Sequence, residues 1–318
     1  MDRIDLRKEC VEARKIGISG HIRPDGDCVG SCLALFLYLK KIFPEKEVQV
    51  FLEKPAEIFA NLKGFSEIDT TFQANGVFDV FFCLDCGKER LGGAQVLFEK
   101  AGKKIQIDHH LSSTGCGDLN WICPTTGSCS ELIYDLLEKE YLDKEIAEAI
   151  YTGMIHDTGV FQYSNTSPET LKKAAELITF GFDFPKLIQE TFYQKTYLQT
   201  QILGRALLQS IRFMDGQCIV SGLDRKTLEF YQAVPADLEG IVNQLRNIEG
   251  IHCAIFLYET DVLEYKVSLR SDESVDVSKV ASYFGGGGHM RAAGCTMKGT
   301  FHDCVNNLSA QIAAQLEG

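Results

Sequence analysis

What most narrows the fold is an alternation, in the first half of the chain, between short apolar β-rich runs and stretches with helical spacing. KIGISGH (15–21), VQVFLE (48–53), FDVFFCLD (78–85) and KIQIDHH (104–110) read as buried strands. Between and after them, Val29–Phe43, 127–140 and 143–155 carry apolar residues at helical spacing. Such alternation predicts an α/β unit, a doubly wound, mostly parallel sheet covered on both faces.

After Pro185 the pattern changes. Residues 186–210 read as one helix, without Gly or Pro until Gly204. IRFMDGQCIVSGL (211–223) then places Asp-Gly between two apolar runs, the signal of a β-hairpin. HCAIFLYE and EYKVSLRS add two strands, and helices are expected at 237–247, 275–284 and 302–316. The chain is therefore divided into a first domain at 1–190, a helical linker at 191–210 and a smaller α+β domain at 211–318.

Composition bounds the function. The 318 residues carry 32 Lys and Arg against 44 Asp and Glu, a formal net charge of −12, which disfavours long nucleic acid as a ligand. No apolar run is long enough to cross a membrane, and the charged opening MDRIDLRKECVEARK has no secretory core, so a cytoplasmic protein is expected. Twelve cysteines in such a chain read as reduced thiols. Only Cys83 and Cys86 form a CxxC. Four residues of one strand place them on opposite faces, which argues against a redox pair. Cys28, Cys32 and Trp121 read as packing residues.

The chemistry gathers in four short motifs: His21-Ile22-Arg23-Pro24-Asp25-Gly26-Asp27 after the first strand, Asp85 ending the third, Asp108-His109-His110 ending the fourth, and His156-Asp157-Thr158-Gly159 after a helix. Taken singly they read as an Asx turn, a helix cap or chance. Three of the four fall at the carboxyl ends of strands, where open α/β sheets bind ligands. Five of the seven histidines lie in these motifs or at His289. Imidazoles with several carboxylates suit Mn²⁺ or a similar ion, and two divalent ions would balance Asp25, Asp27, Asp85 and Asp157. Paired cations about 3.5–4 Å apart serve phosphoryl hydrolysis.

In this order and spacing the motifs resemble those of the DHH phosphoesterase superfamily, and Gly285-Gly-Gly-Gly-His289-Met-Arg291-Ala-Ala-Gly294 resembles the signature of its DHHA1 domain. The resemblance covers nearly the whole chain and is closest to the stand-alone branch, which degrades nanoRNA and dephosphorylates 3′-phosphoadenosine 5′-phosphate (pAp). It implies one metal on His21, Asp25 and Asp85 and a second on Asp27, Asp85, His109 and Asp157, most simply two Mn²⁺, with a hydroxide between them as nucleophile. It further implies His110 facing the scissile phosphate and Asp108 orienting a histidine. Gly286, Gly287, Gly288, His289, Arg291 and Arg270 would hold substrate phosphate, Arg246 being a weaker candidate, with the active site in the cleft between the domains. No role is assigned to Ser19 or His156.

The expected substrates are short RNA oligonucleotides, pAp or dinucleotides, with no long nucleic acid and no membrane partner; a homodimer is expected at the level of the family. A phosphodiesterase for cyclic or linear dinucleotides is the main alternative. An inorganic pyrophosphatase would share the metal motifs but lack the glycine-rich signature. A non-catalytic nucleotide sensor and a thiol redox protein are the rivals from other classes.

Overall fold

In the computed structural model, which describes residues 3–316, the four predicted strands become the centre of one sheet. The chain divides into two units, Met1–Gln194 and Lys195–Gly318. The strands of the first are β1 (Lys15–Ser19), β2 (Glu47–Phe51), β3 (Ile68–Asp69), β4 (Val80–Leu84), β5 (Lys103–Asp108) and β6 (Leu119–Ile122). All are parallel, in the order β3-β2-β1-β4-β5-β6. Its helices are α1 (Leu6–Cys10), α2 (Gly26–Ile42), α3 (Gln95–Lys100), α4 (Cys129–Leu136), α5 (Lys144–Asp157), α6 (Pro168–Ile178) and α7 (Phe184–Ile188).

Side chains of successive strand residues leave opposite faces, so each face of the sheet buries its own core. Ile16, Ile18, Phe82, Ile105 and Ile107 pack with Leu33, Ile133 and Ile150 of α2, α4 and α5. Phe81 and Cys83 pack on the other side with Phe98 of α3. The chain order reverses between β1 and β4, the point at which a doubly wound sheet opens a crevice beyond its carboxyl ends. β3 and β6 were not expected; at two and four residues both are too short to show a period. Trp121 lies buried in β6.

The single helix expected over 186–210 is two helices. α7 runs into a π-helical turn at Gln189–Tyr193, Gln194 is extended, and Thr196 starts α8 (Tyr197–Leu208). Thr196 and Gln199 form a reciprocal capping box, which satisfies the first N–H groups of a new helix instead of continuing the old one.

The second unit carries β7 (Ile211–Phe213), β8 (Cys218–Leu223), β9 (Cys253–Asp261), β10 (Glu264–Ser271), β11 (Gly287–His289) and β12 (Ala292–Lys298), in the order β11-β12-β10-β9-β8-β7. Only β8 and β9 pair in parallel. Helices α9 (Arg225–Tyr231), α10 (Ile241–Arg246), α11 (Val277–Tyr283) and α12 (Phe301–Leu316) complete it. Ile255 and Leu269 meet α11 and α12 on one face, while Ala254 and Phe256 meet α8 and α10 on the other. The glycine run, expected as a loop, is partly strand. Gly287–His289 pairs antiparallel with β12, and Gly288 has φ 148° with Ala292 O only 2.5 Å from where a Cβ would stand. No helix among the described residues is long and apolar enough to cross a membrane.

Candidate metal centre

The loop after β1 turns at once into α2, because Asp25 caps that helix by accepting from the backbone N–H of Asp27 and Cys28. The turn sets His21 before the helix and Asp27 in its first turn. His21 is buried; its Nδ1–H donates to Ile22 O at 2.9 Å, which leaves Nε2 facing Asp85 Oδ2 at 3.3 Å and Asp25 Oδ1 at 3.6 Å. His21, Asp25 and Asp85 can thus each offer one ligand atom, all within 4.8 Å of one another.

Asp85 leaves β4 in the left-handed region, φ 60°, a conformation that non-glycine residues hold mainly where surrounding structure imposes it. This turn has a second consequence. Cys86 doubles back, so its Sγ lies 3.8 Å from Cys83 Sγ, in the same core cluster. The expectation of opposite faces fails because the strand ends at Leu84. Both thiols are free.

His109, at the end of β5, orients in the same manner as His21. Nδ1 faces Thr126 O at 3.3 Å, and Nε2 stands 3.1 Å from Asp157 Oδ2, 3.3 Å from Asp85 Oδ1 and 3.8 Å from Asp27 Oδ2. Asp27, His109 and Asp157 form a second possible donor set, and Asp85, His109 and His110 a third. His110 turns its Nδ1 to Asp108 Oδ1 at 2.8 Å, and the same oxygen accepts from the His110 backbone N–H. The side chain of His110 is 37% exposed, so its other nitrogen is open to a bound molecule.

Two contributors escape a reading of the motifs. Asp27 is fully buried, and its two oxygens accept from the backbone N–H groups of Cys129 (2.6 Å) and Ser130 (2.8 Å) in the first turn of α4. That places a carboxylate on the positive end of a helix. The sequence signal was present in Ser128-Cys-Ser-Glu131, a helix-start pattern whose Ser128 side chain accepts from Glu131 N–H. Gln106, buried in β5, bridges Asp108, Ser113 and Cys86 O, and nothing in the sequence distinguishes it from a core residue.

The electrostatics are those of anions crowded in a poorly solvated site. Burial, then the charge of Asp85, pushes Asp27 up to about 7. Burial and Asp27 push Asp157 up to about 8. Burial opposes charge on His21 and His109, yet the carboxylates around them prevail and lift these rings to about 12 and about 10. Burial also opposes charge on Asp25, but His21 holds it down at about 2. Asp108 raises His110 above the usual imidazole range. Asp85 Oδ1 is buried and makes no hydrogen bond. An orphaned carboxylate oxygen amid imidazole and carboxylate donors fits divalent cations of the Mn²⁺ type.

The second unit holds the remaining candidates, the glycine run and His289 at the β11 edge of its sheet, Arg291 in the turn after it, Arg270 in the interior strand β10 and Arg246 at the end of α10. Gly286, Gly287, Gly288, His289 and Arg291 are exposed, and Arg291 pairs with Glu273. Arg270 Nη1 donates to Leu269 O at 2.9 Å, and Arg246 Nη2 lies 3.3 Å from Asp272. The structure therefore brings His21, Asp25, Asp27, Asp85, His109, His110 and Asp157 together, with Asp108 behind His110.

The family model for the DHH family, N-terminal domain, matches residues 15–154, and that for the DHHA1 domain matches 216–318. The chain is 31% identical over 282 residues to the bifunctional oligoribonuclease and PAP phosphatase NrnA of Bacillus subtilis (strain 168), covering 87% of each. It is 30% identical over 288 residues to the Thermus thermophilus protein of the same name, covering 89% of this chain and 84% of that one. An exopolyphosphatase-related protein from Bacteroides fragilis superposes with a TM-score of 0.87 at 27% identity, covering 98% of this chain and 95% of that one.

Proposed function

Because the chain belongs to the DHH phosphoesterase family in its DHH–DHHA1 form, a family of metal-dependent hydrolases, we propose that it hydrolyses short oligoribonucleotides to mononucleotides and pAp to AMP. The observation that carries this reading is the pair of donor sets, His21–Asp25–Asp85 and Asp27–His109–Asp157, with Asp85 also 3.3 Å from His109. Asp85 would belong to both metal sites. Mn²⁺ is the proposed ion, since the donors are imidazoles and carboxylates without thiolate.

Divalent cations held there supply Lewis-acid stabilisation of the phosphoryl group and offset the charge of the four aspartates. The chain's own groups do the rest. His21 and His109 present Nε2 because carbonyl oxygens fix their Nδ1–H groups. Asp108 favours the protonated form of His110, whose Nε2–H can donate to a phosphoryl oxygen or to the departing alkoxide. Gly286, Gly287, Gly288, His289, Arg291 and Arg270 would hold substrate phosphate, the arginines by their bidentate forks. The net charge of −12 favours substrates of a few phosphates over long RNA. Twelve thiols without a disulfide support action in a reducing cytoplasm.

The test is hydrolysis with Mn²⁺ of pAp, a 5′-phosphorylated RNA dinucleotide, a 24-mer RNA, cyclic di-AMP and pyrophosphate. Turnover of the first two with little on the 24-mer and pyrophosphate is expected. Faster cleavage of cyclic di-AMP would reassign the same site to dinucleotide second messengers, and no turnover with metal bound would make the protein a sensor.

A further inference from the structure

His156 stands directly before Asp157 and has no part in the roles above. Its half-buried ring is nevertheless packed by two aromatic rings, a hydroxyl and a glycine. Phe59 meets it edge-on at 5.1 Å and Phe192 at 5.6 Å between centroids. Its Nε2 lies 3.2 Å from Thr191 Oγ1, and the Thr191 hydroxyl already donates to Leu187 O at 2.9 Å. Thr191 therefore accepts, and the ring proton is placed on Nε2. The ring is half-buried, and this hydroxyl is the acceptor that orients its N–H.

The ring also rests on Gly26. A Cβ at that position would lie 2.1 Å from His156 Cγ and 2.5 Å from Cδ2, which no side chain tolerates. Gly26 separates Asp25 from Asp27 and begins α2, while His156 and Asp157 close α5. One imidazole thus touches the backbone between two of the carboxylates and adjoins the third.

We propose that His156 is a positioning residue of the metal centre: locked by Thr191, Phe59 and Phe192, it presses on Gly26 and so fixes the directions in which Asp25, Asp27 and Asp157 point. His156 touches no ligand atom and acts only through the backbone. Glycine at 26 and histidine at 156 form a matched pair, and the wall that supports them comes from Phe59 and from Leu187–Phe192. The inference rests on the metal-centre reading.

The experiment is calorimetric titration of the full metal-free chain with Mn²⁺, without substrate, alongside thermal unfolding. His156→Ala is expected to weaken Mn²⁺ binding about 10-fold or more, the cost typical of losing a group that orients ligands. Thr191→Val, which keeps the shape and removes the hydroxyl that accepts from His156 and donates to Leu187 O, is expected to weaken it several-fold with little change in unfolding temperature. Gly26→Ala alone should also weaken binding; combined with His156→Ala it should add little, because its collision partner is gone. Excess Mn²⁺ should restore most of the kcat of Thr191→Val. Mn²⁺ affinity of both His156→Ala and Thr191→Val within about twofold of the parent, or independent multiplicative effects of positions 26 and 156, would overturn the clamp while leaving the metal centre intact. Failure of the parent itself to bind Mn²⁺ would overturn both together.

Discussion

Asp85 Oδ1 and His109 Nε2 lie 3.3 Å apart, and that oxygen, though buried, accepts no hydrogen bond. The other oxygen of Asp85 stands at the same distance from His21. A side chain reaching both donor sets from a left-handed backbone position is the least replaceable of the cluster. Asp85→Asn keeps the size and one acceptor but removes the charge, so kcat/KM on pAp should fall by at least about 10²-fold. Circular dichroism should show the fold retained. Near-parental activity would mean that Asp85 is no shared ligand.

His110 and Asp108 make a separable prediction. As a proton donor His110 must be charged, so activity should fall as pH rises through its raised pKa. Removing the carboxylate in Asp108→Asn lowers that pKa and moves the alkaline fall of kcat to lower pH. His110→Gln, which cannot supply a proton, should lower kcat about 10²–10⁴-fold. A profile of Asp108→Asn that overlays the parent's would remove the pair from proton transfer.

Much of this arrangement was legible because its donors stand at the ends of apolar strands, where alternation dates the last strand residue and the carboxyl edge of the sheet dates the site. His21, Asp85 and His109 are such residues. What alternation does not record is the path of the chain after a strand ends. Cys86 was placed on the wrong side of Cys83 because φ 60° at Asp85 reverses the chain, and aspartate gives no advance notice of it. The break before α8 was written in Thr196 and Gln199 but outvoted by a stretch without Gly or Pro from Lys186 to Leu203. The N–H pair that holds Asp27 belongs to backbone, so Ser128 and Glu131 mark the helix start without marking what its N–H groups hold.

Arg291 tests the glycine-rich edge of the second unit. Its side chain is 54% exposed and, among the described residues, its ion-pair partner is Glu273, which a phosphate can displace. Arg291→Ala should raise the KM for pAp about 10-fold, the low end of what one charged hydrogen bond is worth, with a smaller change in kcat. Arg291→Lys should recover only part of the loss, since an ammonium lacks the planar fork. An unchanged KM for Arg291→Ala would take the residue out of the substrate site.

Metal binding should be a proton-releasing event. In the metal-free chain His21 and His109 titrate at about 12 and about 10, so both carry a proton at neutral pH, and Asp157, pushed up to about 8, shares in the uptake. Each must give up its proton to become a ligand. The sign follows: as pH rises the competition from protons weakens, so Mn²⁺ affinity should tighten steadily from pH 6 to pH 8. Calorimetric titrations in buffers of different ionisation enthalpy count the released protons, and the two imidazoles alone predict a release near two at pH 7. A release near zero with pH-independent affinity would show that these rings are already neutral, and that the carboxylates around them do not act as the burial and distances imply.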